Sequence, residues 1–327
     1  MKVKTLALAA LIAAAATGAA SAADMPVKAV KAVAPAPFFF VNDNSISYHY
    51  EFLATNPGAG KSPKHVLSFT HFDVWAYGTN FINIDWLKAT NGNRLTGTPT
   101  ATGTEGFTEI YGFFRSTFGF NEVFGTKAFS YGPLTNVSLM VGADLNTDNT
   151  FLGSAKRSIE AGIQFSFATP YKGFLNLTPT IYKEWQHDGF AAAFGAGTNP
   201  SGAVSFNTTW GFEYLWVQPL AFQPLPLTFK AFGTVHGAKG CGEPCGGPVA
   251  QGFSRKVEWY AQENLELDVG KLAGYRPGMY SAFVGYRYWV NKFGIDSQQT
   301  PVAAANSTGN VTGTVESTWL VGVTAAF

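Results

Sequence analysis

Between Arg157 and Phe167 apolar and polar positions alternate without a break. Ile159, Ala161, Ile163, Phe165 and Phe167 fall on one face, and Ser158, Glu160, Gly162, Gln164 and Ser166 on the other. A period of two marks an extended strand with one apolar and one polar side, and a tilted strand needs about 9 to 11 residues to cross a bilayer. Comparable segments recur near residues 45–54, 66–77, 80–88, 107–118, 136–146, 174–187, 204–218, 225–236, 254–268, 279–291 and 315–327, making twelve with the first. The pattern predicts an all-β chain: a closed antiparallel transmembrane β-barrel of about twelve strands.

Closure follows from the solvent. Each unpaired N–H or C=O at a sheet edge costs several kcal/mol in hydrocarbon, so only a sheet without edges spans. Spacer lengths agree with this reading. Connections 89–106, 188–203, 237–253 and 292–314 are long and rich in Gly, Thr, Pro and Asn, and they alternate with shorter turns. That is the parity of a barrel with long external loops and short periplasmic turns. Connection 119–133 departs from it, being long and aromatic, with room for a short helix. In the last segment Val315, Trp319, Val321, Val323 and Phe327 oppose Glu316, Thr318, Gly322 and Thr324, and the closing aromatic resembles the insertion signal of bacterial outer-membrane proteins. A secreted β-sandwich also alternates, but its outward face is polar rather than aromatic.

The N-terminal residues carry a different signal. Lys2 and Lys4 precede the apolar run Leu6–Ala16, and Ala20-Ser21-Ala22 supplies a small-residue cleavage site. A signal peptide over 1–22 is expected, hence export. Val-Lys-Ala repeats and Pro35-Ala36-Pro37 suit an extended Pro/Ala/Lys tether over 23–43, leaving 44–327 as the barrel. Only 13% of the chain is charged while 15% is aromatic. That charged share is about half of what a soluble domain carries, which argues against a cytosolic enzyme. The formal charge of +1 becomes −1 once Lys2 and Lys4 leave (22 less 2 basic residues against 21 acidic), so no nucleic-acid partner is expected.

Taking the more polar face of each segment as inward places Asp73, Asp85, Arg115, Glu184, Arg287 and Glu316 in the lumen, interleaved with Phe113, Tyr182, Phe232, Tyr260 and Trp289. A lumen of this size is narrow enough for side chains from opposite walls to constrict it. Aromatic faces beside carboxylates, Lys and Arg suit a solute with a flat ring and a hydroxylated part. The alternative is that the charges pair across the lumen and plug it.

Four stretches carry a family resemblance: Tyr77-Gly78-Thr79-Asn80-Phe81-Ile82-Asn83-Ile84-Asp85-Trp86, Tyr182-Lys183-Glu184-Trp185, Arg287-Tyr288-Trp289 and the closing Phe327. Together they resemble the Tsx-type nucleoside-specific outer-membrane channels. The resemblance implies a monomeric twelve-stranded barrel whose narrow lumen passes nucleosides along aromatic and ionisable residues. Carried over position by position, it implies solute contact at Asp85, Glu184 and Arg287, with Tyr182 and Trp289 stacking. Departures from the pattern are Pro179 within a strand, Lys183 and Glu263 on outward faces, and a Gly-rich loop bearing cysteines.

Other chemistry is sparse. Cys241 and Cys245 lie in a predicted external loop after an oxidising compartment, where a small structural disulfide is expected. A metal site wants more ligands than His236 nearby, so neither metal nor cofactor is expected. His49 and His71 are expected inward as lumen hydrogen-bonders. A barrel esterase needs Ser, His and an orienting Asn or acid together on the outer wall, and the predicted outward faces offer no such trio, so no enzyme is expected. The expected function is passive uptake of nucleosides or similar ring-bearing solutes through the outer membrane. The alternatives are a general small-solute or ion porin, and a structural or adhesive barrel with a plugged lumen.

Overall fold

The computed structural model describes residues 38–56, 60–90, 106–149, 155–187, 202–240, 255–296 and 314–327. The alternating segments form β1 (Phe39–Asn56), β2 (Gly60–Trp75), β3 (Gly78–Ala89), β4 (Thr108–Gly119), β5 (Leu134–Asp148), β6 (Ala155–Thr169), β7 (Gly173–His187), β8 (Ala203–Ser205), β9 (Thr209–Pro219), β10 (Leu227–His236), β11 (Glu258–Asp268), β12 (Tyr280–Val290) and β13 (Glu316–Ala326). Each pairs antiparallel with its neighbours. The ring closes where β1 meets β13, Ser45 opposite Ala326, and where β6 meets β7, Ala155 opposite His187. With β8 a short arm lying only on β7, the wall has twelve staves.

Two local features differ from expectation. Strand β1 starts at Phe39, because Val41 to Asn44 pair with Val74 to His71 of β2, so the last residues assigned to the tether belong to the barrel. Residues 1–37, with the expected signal peptide and the rest of the tether, lie outside the described residues, as do Cys241 and Cys245. The segment expected as one strand over 204–218 is broken between β8 and β9, where Phe206 turns into the interior with no exposure. Pro179 leaves the β6 register intact, since Gly162↔Thr180 and Phe165↔Leu177 belong to one frame, and only the pairs between them are missing. Its ring faces outward, where a missing ladder donor is tolerated best.

The connection 120–133 does hold a helical turn, Phe120–Val123. It lies at the barrel end where β1 starts and β13 stops, which also carries the connections 76–77, 170–172, 220–226 and 269–279. In connection 170–172, Tyr171 and Lys172 adopt positive φ, 57° and 64°, the geometry that matches a tight turn to strand twist.

Inside and outside are reversed relative to a water-soluble protein. Ile84, Trp86, Ile159, Trp319 and Val323 stand exposed on the outer wall, and Ile181 is 68% exposed. Glu51, Glu184 and Glu316 are wholly buried within. Such an apolar belt around a polar interior is the surface of a barrel seated in a bilayer. Among the described residues no helix is long and apolar enough to cross a membrane, and the strands do the crossing.

Candidate functional site

Because side chains alternate along each strand, every second residue of all twelve staves points into one shared space. The half of that space nearest the long connections is filled by ion pairs. Lys64 Nζ lies 2.9 Å from Glu109 Oε2 and 2.9 Å from Asn56 Oδ1. Asn56 also accepts from Lys292 Nζ at 2.9 Å, and Lys292 pairs with Glu316 at 3.0 Å. Lys239 joins Glu184 at 2.5 Å to Glu258 at 3.4 Å. These charged side chains are at most 3% exposed. Lys292, in the turn beyond β12, is held below the ordinary lysine range chiefly because burial strips its water, with Glu316 opposing that shift and Lys64 adding to it.

Deeper in, Arg115 gathers three acids: Asp144 at 2.8 Å, Glu160 at 2.5 Å and Glu213 at 2.6 Å. Glu213 belongs to β9 and Arg115 to β4, so the contact crosses the lumen. Gly142 makes the pose possible, since a Cβ there would sit 2.7 Å from Arg115 Cδ. A fork holding several carboxylates satisfies charges that would be costly alone, and it fixes one arrangement of the walls rather than adding much stability.

Four of the five predicted solute-contacting residues fall within this belt. Tyr182 OH donates to Glu184 Oε2 at 2.6 Å, its ring stacks on His236 with centroids 3.8 Å apart, and Trp289 Nε1 donates to Glu258 Oε1 at 3.0 Å. Arg287 pairs with Glu51 and donates to Gln262 Oε1 at 2.6 and 2.8 Å. Trp289 and Arg287 meet through Tyr260, whose ring centroid is 5.2 Å from that of Trp289 and 5.8 Å from the guanidinium. Asp85, inward on β3, accepts from Asn83 at 2.8 Å and lies near enough for its charge to act on Tyr260 and Arg287. The cations Lys64, Lys156, Lys239 and Lys292 were missed by the periodicity reading, since each lies just beyond a segment as the alternation delimits it.

An aromatic series runs through the same space. Successive ring centroids are 5.3 Å apart from Phe81 to Phe113, 5.6 Å to Phe232, 6.2 Å to Tyr260, 5.2 Å to Trp289 and 5.5 Å to Phe293. Toward the short turns the interior is more open: Lys230, 43% exposed, pairs with Glu266 at 2.7 Å.

Asp73 and His71, expected inward, face outward. Their parity on β2 is that of the exposed Leu67 and Phe69, while Ser68 and Thr70 take the lumen side. They belong to a hydrogen-bonded row on the outer wall: Ser116 Oγ to Asn80 at 2.7 Å, Asn80 to Asp73 at 2.9 Å, Asp73 to His71 at 3.1 Å and His71 to Asn44 at 2.9 Å. Ser116 binds Asn80 rather than His71, so this row contains no nucleophile–base pair.

No family model and no curated protein matches the chain. Solved structures give only distant likenesses. One is the translocator domain of autotransporter NalP from Neisseria meningitidis, 10% identical, with a TM-score of 0.36 over 88% of each chain. Another is the outer membrane protein opdK from Pseudomonas aeruginosa, 7% identical, with a TM-score of 0.34 over 88% of this chain and 98% of that one. OccK5 (OpdH) of the same organism is 10% identical, with a TM-score of 0.27 over 88% and 96%. Likenesses this distant say nothing about what the present lumen carries, and the barrel assignment rests on the chain's own strand pairing.

Proposed function

We propose that the chain is a monomeric, passive outer-membrane channel whose lumen is a lane for small ring-bearing solutes such as nucleosides, closed here by contacts across the lumen. The apolar belt supports the membrane setting, with the short turns toward the periplasm. The observation that carries the solute class is the unbroken aromatic series from Phe81 to Phe293, flanked by Glu51, Arg287 and Gln262. Rings in such a series offer a flat solute one stacking partner after another, and the flanking groups offer hydroxyls hydrogen bonds. The short motifs resembling Tsx-type channels support the same solute class.

The rival reading is a structural barrel with a sealed lumen, favoured by the dry ion pairs around Lys64, Lys239 and Lys292. Single-channel recording in planar bilayers separates the two. The channel reading expects current that nucleoside interrupts and an equal-sized sugar does not, with the interruption lost in Tyr182→Ala and Trp289→Ala. A sealed barrel gives no current at all, and interruption that survives in both variants places the binding groups elsewhere.

A further inference from the structure

On the outer wall, where β12, β13 and β1 meet, lies an apolar groove of about 400 Å³ lined by Ile46, Tyr48, Val269, Tyr280, Val323 and Ala325. It sits at the short-turn end, because Val269 opens the connection 269–279 and Tyr280 closes it. That connection is built to a fixed shape. The Asp268 carboxylate accepts from the backbone N–H groups of Lys271 and Gly278, both at 2.8 Å, and Tyr275 N–H bonds to the Gly270 carbonyl at 2.8 Å.

Two cations project from this shape. Lys271 and Arg276 are both exposed, and neither makes an ion pair among the described residues. Asp268 is the nearest acid in sequence, and both of its oxygens are engaged by backbone N–H groups. No other connection at this end carries two basic residues without an acid: 120–133 sets Glu122 beside Lys127, 170–172 has Lys172 alone, and 220–226 is uncharged. Leu272 and Tyr275, 55% and 59% exposed, surround the cations with apolar surface.

We infer that this corner is a binding site for one anionic phospholipid of the periplasmic leaflet. An acyl chain lies in the groove, and the phosphate lies against Lys271 and Arg276. Free cations beside a groove floored by aliphatic side chains match the two halves of such a lipid, and basic residues at a membrane surface are the usual means of holding its headgroup. Tyr280 stands between the halves at the depth where amphipathic rings settle. The inference rests on the barrel lying in a bilayer and is independent of what the lumen carries.

Native mass spectrometry of the detergent-purified chain tests it, with dioleoylphosphatidylglycerol, dioleoylglycerol and inorganic phosphate as probes. One phosphatidylglycerol should be retained about tenfold better than dioleoylglycerol. Lys271→Ala with Arg276→Ala should abolish that preference, and Ala325→Trp should weaken both lipids alike, all with the heat-modifiable gel mobility of a folded barrel. Equal retention of the two lipids by the unaltered chain, or an undiminished preference in the double variant, overturns the inference. Displacement of the lipid by an equal concentration of phosphate reassigns the corner to a free anion and overturns it too.

Discussion

Phe113 on β4 and Phe232 on β10 stack across the lumen, ring centroids 5.6 Å apart and planes 13° from parallel, although the two strands are separated by four others along the shorter way round the barrel. Side chains from opposite walls touch only where the interior is pinched, so this pair marks a constriction. An aromatic pair contributes about 0.5 to 1.5 kcal/mol beyond its buried area. Phe113→Ala or Phe232→Ala is therefore expected to raise the open fraction of single channels about two- to tenfold, with little change in the urea midpoint. Unaltered open fractions in both variants place the constriction elsewhere.

Arg287 is the guanidinium partner of Glu51, with Glu316 at 3.7 Å, and both carboxylates are fully buried. Removing one side of a buried charge cluster leaves the other uncompensated, at a cost of about 3 to 5 kcal/mol. Arg287→Ala should lower the unfolding free energy by that order and admit water to the freed acids, giving a larger and cation-preferring conductance. Reversal potentials in a salt gradient check the preference. Arg287→Lys restores the charge without the bidentate fork and should fall between the two.

The strands were legible in the sequence, and the site was legible only in part, for one physical reason. Alternation reports which side of a strand meets lipid, so Ile159 to Phe167 and Val315 to Phe327 could be assigned from residue type alone. It does not report where pairing stops. Lys64 and Lys156 lie on strands that run further than their apolar faces do, and Lys239 and Lys292 sit in connections with no period at all. The counter-ions of Glu109, Glu184 and Glu316 were therefore invisible, and the pattern left pairing across the lumen and contact with solute both open. His71 and Asp73 were misplaced because at that end of β2 the polar residues stand on the outer face, opposite Phe72 and Val74, and only the register carried down from Leu67 and Phe69 shows it.

Pro179 interrupts the β6 ladder without shifting it. Its outward position means that an apolar strand former can replace it without touching the lumen. Pro179→Val should restore a ladder hydrogen bond, worth about 0.5 to 1.5 kcal/mol, and raise the temperature at which heat-modifiable mobility is lost. A lower transition would show that the proline matches a local bend the ladder requires.

The proposed channel passes ring-bearing solutes along the aromatic series in preference to others of equal size. Purified protein reconstituted in liposomes tests it most directly, by comparing initial uptake of a nucleoside with that of a sugar of similar size over a range of concentrations. A ring-selective lumen gives saturable nucleoside uptake that exceeds sugar uptake and collapses toward it in Trp289→Ala. Equal, unsaturable uptake of the two solutes, or none of either, would contradict it.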